Sequence, residues 1–232
     1  MAGMKDLQSF DEWPDRYEQW FATPIGRIVR QVESHLVLNL VRPATGELLL
    51  DVGCGTGVFT TDFIAAGVNA VGLDISHPML KYALKKTSGI SFSAVQGDMC
   101  KLPFGDGLFD KAVSITALEF VEDAGSALGE LFRVTKAGGY VVVATLNSLS
   151  PWAERRKDKT MTGQRHILEN AHYRSGDELL ALSLYSGISE TAVHFDKSED
   201  PGMALVIEES GRRQRLKTGA FVAVRWQKPN DA

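Results

Sequence analysis

The chain has 232 residues, of which 44% are hydrophobic and 23% are charged, and its formal net charge at pH 7 is −4. These values are ordinary for a globular protein and exclude a mainly disordered chain. The mild acidity argues against a nucleic-acid partner, because proteins that bind nucleic acids usually carry a basic face.

The two cysteines, Cys54 and Cys100, are too few for a disulfide framework, an iron–sulfur cluster or a four-thiolate zinc site. No apolar run approaches the ~20 residues of a membrane-spanning helix, and the N-terminus lacks the apolar core of a secretion signal. We therefore expect a cytoplasmic chain with no bound metal and no membrane span.

The N-terminal residues 1–22 are acidic and rich in aromatic side chains, so we expect them to pack on the body of the protein or over a ligand. Thr23 followed by Pro24 is typical of the first residues of a helix. Apolar residues then recur at helical spacing up to Leu40, and the predicted helix ends before Pro43.

From residue 48 the sequence alternates between strand-like and helix-like segments, which is typical of βαβ units with a parallel sheet. The predicted strands are 48–52, 70–74, 91–95, 109–115 and 140–145, and the predicted helices are 57–66, 76–86, 123–136 and 175–187. The alternation then ends, because 191–195 and 219–227 are predicted as two strands with no helix between them, a hairpin-like pair. We predict a single α/β domain.

The strongest functional signal is the segment 48–57, an apolar strand that contains Asp51 and continues into a loop with glycines at 53, 55 and 57. Glycine permits a positive φ and lets the backbone approach a ligand closely. Ligands of open α/β sheets bind at the carboxyl ends of the strands, which is where this loop lies. The dinucleotide fingerprint does not fit, since its third glycine would fall at Val58, and the lysine of a phosphate-binding P-loop is also missing. A plain strand-to-helix turn stays open as the alternative.

Two further acids follow the next two predicted strands. Asp74 ends the second strand, where an acid can accept both hydroxyls of a ribose. Asp98 follows the third strand beside Met99, and a carboxylate next to an apolar residue suits an adenine, which has one donor edge and two flat faces. For Asp98 alone, a turn or helix-cap role is an equal alternative.

On these residues the chain resembles the class I S-adenosylmethionine-dependent methyltransferases, and within them the group that includes the quinone-biosynthesis C-methyltransferases, often called type 11. The matching segments are 51–57 for the first motif, Asp74 for the ribose-binding acid, 97–99 for the adenine-side motif, and 102–104, 109–110, 131–134 and 138–139 around the fourth and fifth strands. The resemblance implies a Rossmann-like, seven-stranded, mostly parallel sheet with helices on both faces and an antiparallel last strand. It also implies S-adenosylmethionine as cofactor, with S-adenosylhomocysteine as product, but it does not identify the methyl acceptor.

The resemblance further implies a set of cofactor-binding residues. They are Tyr17, Trp20, Asp51, Gly53, Cys54, Gly55, Gly57, Asp74, Ile75, Met79, Gly97, Asp98, Met99 and Thr116. Tyr17 and Trp20 belong to a segment that forms a helical lid over the cofactor in a subset of these enzymes; packing of the two rings on the sheet is an equal alternative. Arg27 is a candidate partner for the methionine carboxylate, although a solvated helix face is the favoured role. The implied organisation is a lid at 1–45, a cofactor-binding core at 46–145, a substrate cap at 146–174, and a C-terminal helix and strand pair at 175–232.

No catalytic residue is identified, because the acceptor decides whether a general base is needed. The candidates for a base or a substrate contact are Thr116, Glu119 and Glu122 after the fourth strand, and His166, His172 and Tyr173 in the cap. A surface or capping role is the favoured alternative for each histidine. A solvated helix face is favoured for the basic residues at 155–159 and 212–217.

Methyl transfer to a small molecule is the leading hypothesis, by a monomer or a homodimer. A soft metalloid acceptor is disfavoured, since only Cys100 lies outside the glycine loop. The open alternatives are methylation of RNA or protein and a non-catalytic module that binds the cofactor. A dehydrogenase is disfavoured by the early third glycine.

Overall fold

A computed structural model describes residue 11 and residues 13–88, 91–160 and 171–230. Its strands are β1 (Leu48–Val52), β2 (Asn69–Asp74), β3 (Phe92–Gln96), β4 (Phe109–Ile115), β5 (Thr135–Leu146), β6 (Gly187–Ala192) and β7 (Phe221–Gln227). Its helices are α1 (Pro14–Ala22), α2 (Pro24–Val41), α3 (Thr60–Ala65), α4 (His77–Lys86), α5 (Ala124–Val134), α6 (Pro151–Thr160), α7 (Gly176–Leu180) and α8 (Pro201–Arg213), and a 3₁₀ turn spans Leu118–Phe120.

The strands form one sheet in the order β3-β2-β1-β4-β5-β7-β6. Strands β1 to β5 pair in parallel, whereas β7 lies between β5 and β6 and is antiparallel to both. The chain moves outward from β1 to β3 and then returns to the other side of β1 to form β4. This reversal produces a crevice at the carboxyl ends of β1 and β4, the usual ligand position in such sheets. The expected Rossmann-like α/β fold is confirmed.

Several helices begin at the capping side chains that the sequence predicts. The Thr23 side chain accepts a hydrogen bond from the backbone N–H of Gly26, and Ser76 accepts one from Met79. Ser175 and Glu178 form a reciprocal capping box at the start of α7. Each cap satisfies a backbone N–H that the first helical turn leaves without a partner.

The core is divided between the two faces of the sheet, which both carry helices. On one face, Leu40 of α2 and Phe63 of α3 pack in a cluster of buried residues. On the other face, Leu131 of α5 packs with Trp226 of β7. Burial on both sides explains why the central strands are almost continuously apolar. Within the part of the chain described, no helix is both long and apolar enough to cross a bilayer.

The prediction for the C-terminal region was wrong in two respects. The helix that begins after Ser175 ends at Leu180, and Gly187 begins β6 instead of ending that helix. Between β6 and β7 lies α8, where the sequence predicts no helix. Asp200 caps α8 by accepting hydrogen bonds from two backbone N–H groups. The two strands still pair antiparallel, as a crossover around a helix and not as a hairpin.

Candidate functional site

A cavity of about 650 Å³ opens at the carboxyl edge of the sheet. The ends of β1, β2 and β4 and the turn after β3 form its floor, and α1 lies across it. Three sequence-predicted features therefore meet in one place: the glycine loop, the acids at strand ends and the aromatic N-terminal segment.

The glycine loop adopts a conformation that depends on its glycines. Gly53, Gly55 and Gly57 all have positive φ, between 53° and 75°. A Cβ at Gly53 would lie 2.3 Å from the Cβ of Ala117, so no side chain fits there. A Cβ at Gly55 would meet nothing within 4 Å, although Gly55 lines the cavity. The loop thus has a packed side at Gly53 and a side at Gly55 that is open to a ligand.

Asp51 lies at the base of the loop and is 2% exposed. Its carboxylate accepts a hydrogen bond of 2.6 Å from the hydroxyl of Thr60. Burial, reinforced by the nearby charge of Asp74, raises the pKa of Asp51 to about 7, even though the Thr60 hydrogen bond acts in the opposite direction. The protonation of Asp51 therefore changes near neutral pH in the ligand-free protein.

Asp74 joins the second strand to the loop. One carboxylate oxygen accepts from the backbone N–H of Gly55 at 2.8 Å, and the other accepts from that of Ser76 at 2.9 Å. Burial raises the pKa of Asp74 despite these two hydrogen bonds. Each carboxylate oxygen has a further lone pair, so Asp74 retains the capacity to accept from a ligand. Asp98 also lines the cavity and accepts from the backbone N–H of Cys100.

Hydrogen bonds of Glu18 connect helix α1 to the glycine loop and to α4. A carboxylate oxygen of Glu18 accepts from the hydroxyl of Thr56 at 2.5 Å and from the ammonium of Lys86 at 2.6 Å. In addition, the hydroxyl of Tyr82 in α4 donates a hydrogen bond to the carboxylate of Asp15 in α1. These contacts hold α1 over the cavity, which places Tyr17 and Trp20 in its wall.

The structure gathers almost all of the predicted cofactor-binding residues in one wall. The residues that line the cavity are Tyr17, Trp20, Asp51, Gly53, Cys54, Gly55, Asp74, Ile75, Met79, Gly97, Asp98, Met99 and Thr116. Gly57 is absent from this wall; it faces α4, where a Cβ would lie 3.2 Å from that of Ala83. Burial, together with the charges of Asp51 and Asp74, raises the pKa of the Cys54 thiol well above its usual value, which favours the protonated thiol over the nucleophilic thiolate.

The predicted substrate contacts divide into two groups. Thr116, Glu119 and Glu122 line the cavity, and Thr116 has a φ of 49°, which is strained for a β-branched residue. His172 and Tyr173 instead line a separate pocket of about 450 Å³.

The remaining candidates do not reach the cavity or cannot be placed. Arg27 is exposed and donates to the carbonyl of Ala22, in agreement with the favoured helix-face role. Arg155 pairs with Asp196. His166 lies outside the described residues.

Sequence reasoning missed several residues of the wall, most importantly Glu33. Glu33 is 6% exposed and lies on α2, four residues after Val29 and three before Leu36, both of which are buried. A carboxylate on the apolar side of a helix is the signal that would have revealed it. The other residues missed include Trp13, Arg16, Phe59, Trp152 and Lys197.

Comparison with known proteins gives one family match. Residues 50–143 match the family described as methyltransferase domain. This segment begins in β1 and ends in β5, so it contains the glycine loop and the acids at the ends of the first three strands.

Two curated relatives illustrate the similarity. The chain is 34% identical over 143 residues to a malonyl-[acyl-carrier protein] O-methyltransferase of Pectobacterium atrosepticum, covering 60% of this chain and 56% of that protein. It is 40% identical over 109 residues to a demethylmenaquinone methyltransferase of Renibacterium salmoninarum, covering 47% of this chain and 45% of that protein. The chain spans about half the length of the curated relatives it matches.

Solved structures share the fold over nearly the whole chain. A Thermotoga maritima SAM-dependent methyltransferase, described as a possible histamine N-methyltransferase, superposes with a TM-score of 0.75 at 23% identity, covering 96% of this chain and 99% of that one. A Haemonchus contortus phosphoethanolamine N-methyltransferase 2 in complex with S-adenosyl-L-methionine has a TM-score of 0.67 at 17% identity, covering 95% and 57% of the two chains. At these identities the similarity supports the architecture alone.

Proposed function

We propose that this chain is a class I S-adenosylmethionine-dependent methyltransferase, in keeping with its similarity to a methyltransferase-domain family and to curated methyltransferases. We propose further that it transfers the methyl group of S-adenosylmethionine to a small molecule. The observation that carries the proposal is the single cavity that runs from the glycine loop to the aromatic face of α1. A methyltransferase needs such a space, because donor and acceptor must lie side by side with water excluded.

The residues at the carboxyl edge of the sheet suit the cofactor. The space above Gly55, where a Cβ would meet no other atom within 4 Å, leaves room for a ligand against the backbone. Asp74 and Asp98 provide carboxylate oxygens for ribose hydroxyls and for the amino group of an adenine, and Ile75 and Met99 provide apolar surface for its ring faces. We assign the cofactor to these residues.

The remaining residues act by positioning and by excluding water. S-adenosylmethionine, when bound, supplies a methyl group on a positively charged sulfur, which is already activated for transfer. Helix α1 covers the cavity and is held there by Glu18, so Tyr17 and Trp20 limit the access of water. Tyr17 also forms a hydrogen bond with the Thr116 side chain, which connects the lid to the end of β4. Alignment of two reactants alone is worth about 7–11 kcal/mol in favourable cases.

The position of α1 across the cavity favours a small acceptor over RNA or protein. The partly buried side chains of Tyr17 and Trp20 line the cavity, and α1 lies between it and the solvent. A macromolecular acceptor would have to insert one residue or base past this helix. The alternative of a non-catalytic cofactor-binding module predicts binding without turnover.

Two experiments test the proposal. Isothermal titration calorimetry of the purified chain should show binding of S-adenosylhomocysteine, with no comparable binding of NAD. Incubation with labelled S-adenosylmethionine and a panel of small hydroxyl, amine, thiol and acidic-carbon compounds should label at least one of them. Binding of NAD alone would contradict the cofactor assignment, whereas labelling of bulk RNA or protein alone would favour the macromolecular alternative.

A further inference from the structure

The cavity wall follows the order of the strands in the sheet. The residues assigned to the cofactor lie at or just after the ends of β1, β2 and β3, whereas Leu146 ends β5 and Trp152 lies in the first turn of α6, which follows β5. In the sheet, β4 and β5 lie on the side of β1 opposite to β2 and β3. Neighbouring strands are about 4.8 Å apart, so three strand spacings put the end of β5 roughly 14 Å from that of β2. The part of the cavity at β4 and β5, which we call the acceptor end, therefore lies beyond the cofactor residues.

Trp152 forms part of the wall at the acceptor end. It is 9% exposed and lines the cavity. Its indole N–H donates a hydrogen bond of 2.9 Å to the backbone carbonyl of Phe195, in the segment between β6 and α8. Trp152 also belongs to the buried cluster that contains Val193, Phe195 and Phe221, so protein is packed behind the ring. The hydrogen bond and this packing fix the orientation of the ring.

The backbone before Trp152 is held in place as well. Asn147 is buried, and its side-chain amide donates hydrogen bonds of 2.8 Å to two backbone carbonyls of the segment 217–219. The hydroxyl of Ser150 accepts a hydrogen bond of 3.1 Å from the backbone N–H of Ala153. The start of α6 is therefore attached to the segment that precedes β7, and Trp152 belongs to a fixed part of the wall.

Apolar side chains form much of the wall at the acceptor end. They are Phe21, Val29, Phe59, Ile115 and Leu146. Phe21 meets Phe59 edge to face with ring centroids 6.5 Å apart. An apolar wall has few directional bonds to offer, so it selects ligands by size and shape. A methylene group that fits is bound favourably, whereas one that meets a close-packed ring is rejected.

We infer that Trp152 determines the length of the methyl acceptor: its indole ring bounds the acceptor end, so small molecules whose apolar part ends at this ring are accepted and longer homologues are excluded. This inference rests on the proposed function, since it concerns the compound that lies beside the cofactor. The ring cannot turn aside for a longer ligand without breaking its buried hydrogen bond to Phe195.

A homologous series of alcohols, from butan-1-ol to nonan-1-ol, measures the acceptor end by binding alone. The alcohols are titrated in a calorimeter into the protein saturated with S-adenosylhomocysteine, which occupies the cofactor part of the cavity. The affinity should rise about fourfold for each added methylene and then stop rising, because the next methylene would meet the Trp152 ring. A continuous rise through the whole series, or no binding at any length, would overturn the inference.

Variants of Trp152 show whether this ring sets the break in the series. Trp152→Ala should move the break by at least two carbons towards longer alcohols, and Trp152→Phe, with its smaller ring, should move it less. Phe63→Leu is the matched control, because Phe63 belongs to the same buried cluster but lies outside the described cavity wall. It should lower stability without moving the break. A break at the same length in the unaltered chain and in the Trp152 variants, or an equal shift in Phe63→Leu, would contradict the assignment. If Trp152→Ala does not fold, Trp152→Phe and the control still decide.

The two proposals fail separately. Binding of S-adenosylhomocysteine with a break that does not depend on Trp152 would leave the proposed function intact and remove the role of this ring. Absence of S-adenosylhomocysteine binding would remove the proposed function; the same titrations on the ligand-free chain would then still test whether Trp152 limits the length of the cavity.

Discussion

The carboxylate of Asp74 accepts a hydrogen bond of 2.8 Å from the backbone N–H of Gly55, so the end of β2 and the tip of the glycine loop are joined directly. The same Asp74 side chain lines the cavity. One residue therefore supports the conformation of the loop and presents acceptors to the ligand, which makes it the most informative position for mutation.

Asp74→Ala should weaken binding of S-adenosylhomocysteine at least tenfold. The variant loses both the anchor of Gly55 and the acceptors proposed for the ribose. Calorimetry measures the affinity. Asp74→Asn keeps one acceptor oxygen, so its affinity should lie between that of Asp74→Ala and that of the unaltered chain. Asp177→Ala, at an exposed position paired with Lys217, serves as control. Unchanged affinity in Asp74→Ala would show that the ribose contact lies elsewhere.

Two substitutions in the glycine loop should have different consequences, one mainly for stability and the other mainly for ligand binding. Gly53→Ala places a Cβ 2.3 Å from that of Ala117 at a φ of 75°, so we expect a loss of several kcal/mol of stability, from overpacking of about 1–3 kcal/mol and left-handed strain of about 1–2 kcal/mol. Gly55→Ala has only the strain, because nothing lies within 4 Å of its Cβ. It should remain folded but bind S-adenosylhomocysteine more weakly, since the methyl group projects into the open side of the loop.

Denaturant unfolding and calorimetry on the two variants measure these effects separately. Equal stability losses at both positions would contradict the difference in packing. Full affinity in Gly55→Ala would mean that the ligand does not approach this part of the loop.

The raised pKa of Asp51 predicts a pH-dependent stability. Burial raises this pKa from 3.8 to about 7, so between these values the folded protein binds a proton that the unfolded chain releases. The contribution of Asp51 is therefore most favourable at low pH and is lost as the pH rises towards 7. Asp51→Asn removes this titration and keeps an acceptor for Thr60.

Thermal unfolding without ligand at pH 5 and pH 8 tests this expectation. From pH 5 to pH 8, the melting temperature of the unaltered chain should decrease by at least about 2–4 °C relative to that of Asp51→Asn. This decrease corresponds to about 1 kcal/mol of stability for a chain of this size. Parallel pH profiles for the two proteins would show that Asp51 has an ordinary pKa in the folded state.

Glu18 should control how long the cofactor stays bound. Glu18→Ala removes the contacts of α1 with Thr56 and Lys86, so we expect several-fold faster dissociation of S-adenosylhomocysteine in a stopped-flow displacement experiment. Glu18→Gln retains an acceptor for Thr56 but not the charge opposite Lys86, and it should have an intermediate rate. An unchanged dissociation rate in Glu18→Ala would indicate that α1 does not act as a lid.

Local chemistry explains why much of the fold, and of the cavity wall at the strand ends, could be predicted from sequence. Caps such as Thr23 and Ser76 act on backbone groups within three residues, so their effect is visible in a short segment. The positions of Asp51 and Asp74 follow from the rule that parallel strands bring their carboxyl ends to one edge.

Features that depend on distant packing were not predictable in the same way. Helix α8 buries Ala204, Glu208 and Gly211, whereas its larger residues Met203, Leu205 and Val206 are exposed. Its buried side therefore lacks the apolar stripe that makes a helix visible in sequence. Glu33 lies among apolar residues of α2, and its position in the cavity wall becomes apparent only when α1 and the end of β4 are placed around it. The cavity wall at α1 and α2 is built from such long-range contacts, whereas the wall at the strand ends is built largely from local ones.

The position of β7 has a consequence for biosynthesis. Residues 221–227 lie between β5 and β6, although they are the last strand in chain order. During translation, β6 emerges from the ribosome before β7, its one neighbour among the described strands, exists, and the edge of β5 remains unpaired for the same interval. Unpaired strand edges are prone to aggregation. We therefore expect nascent chains stalled before residue 221 to depend on chaperones, and a ribosome-bound chain extended far enough to expose residue 227 to become resistant to protease.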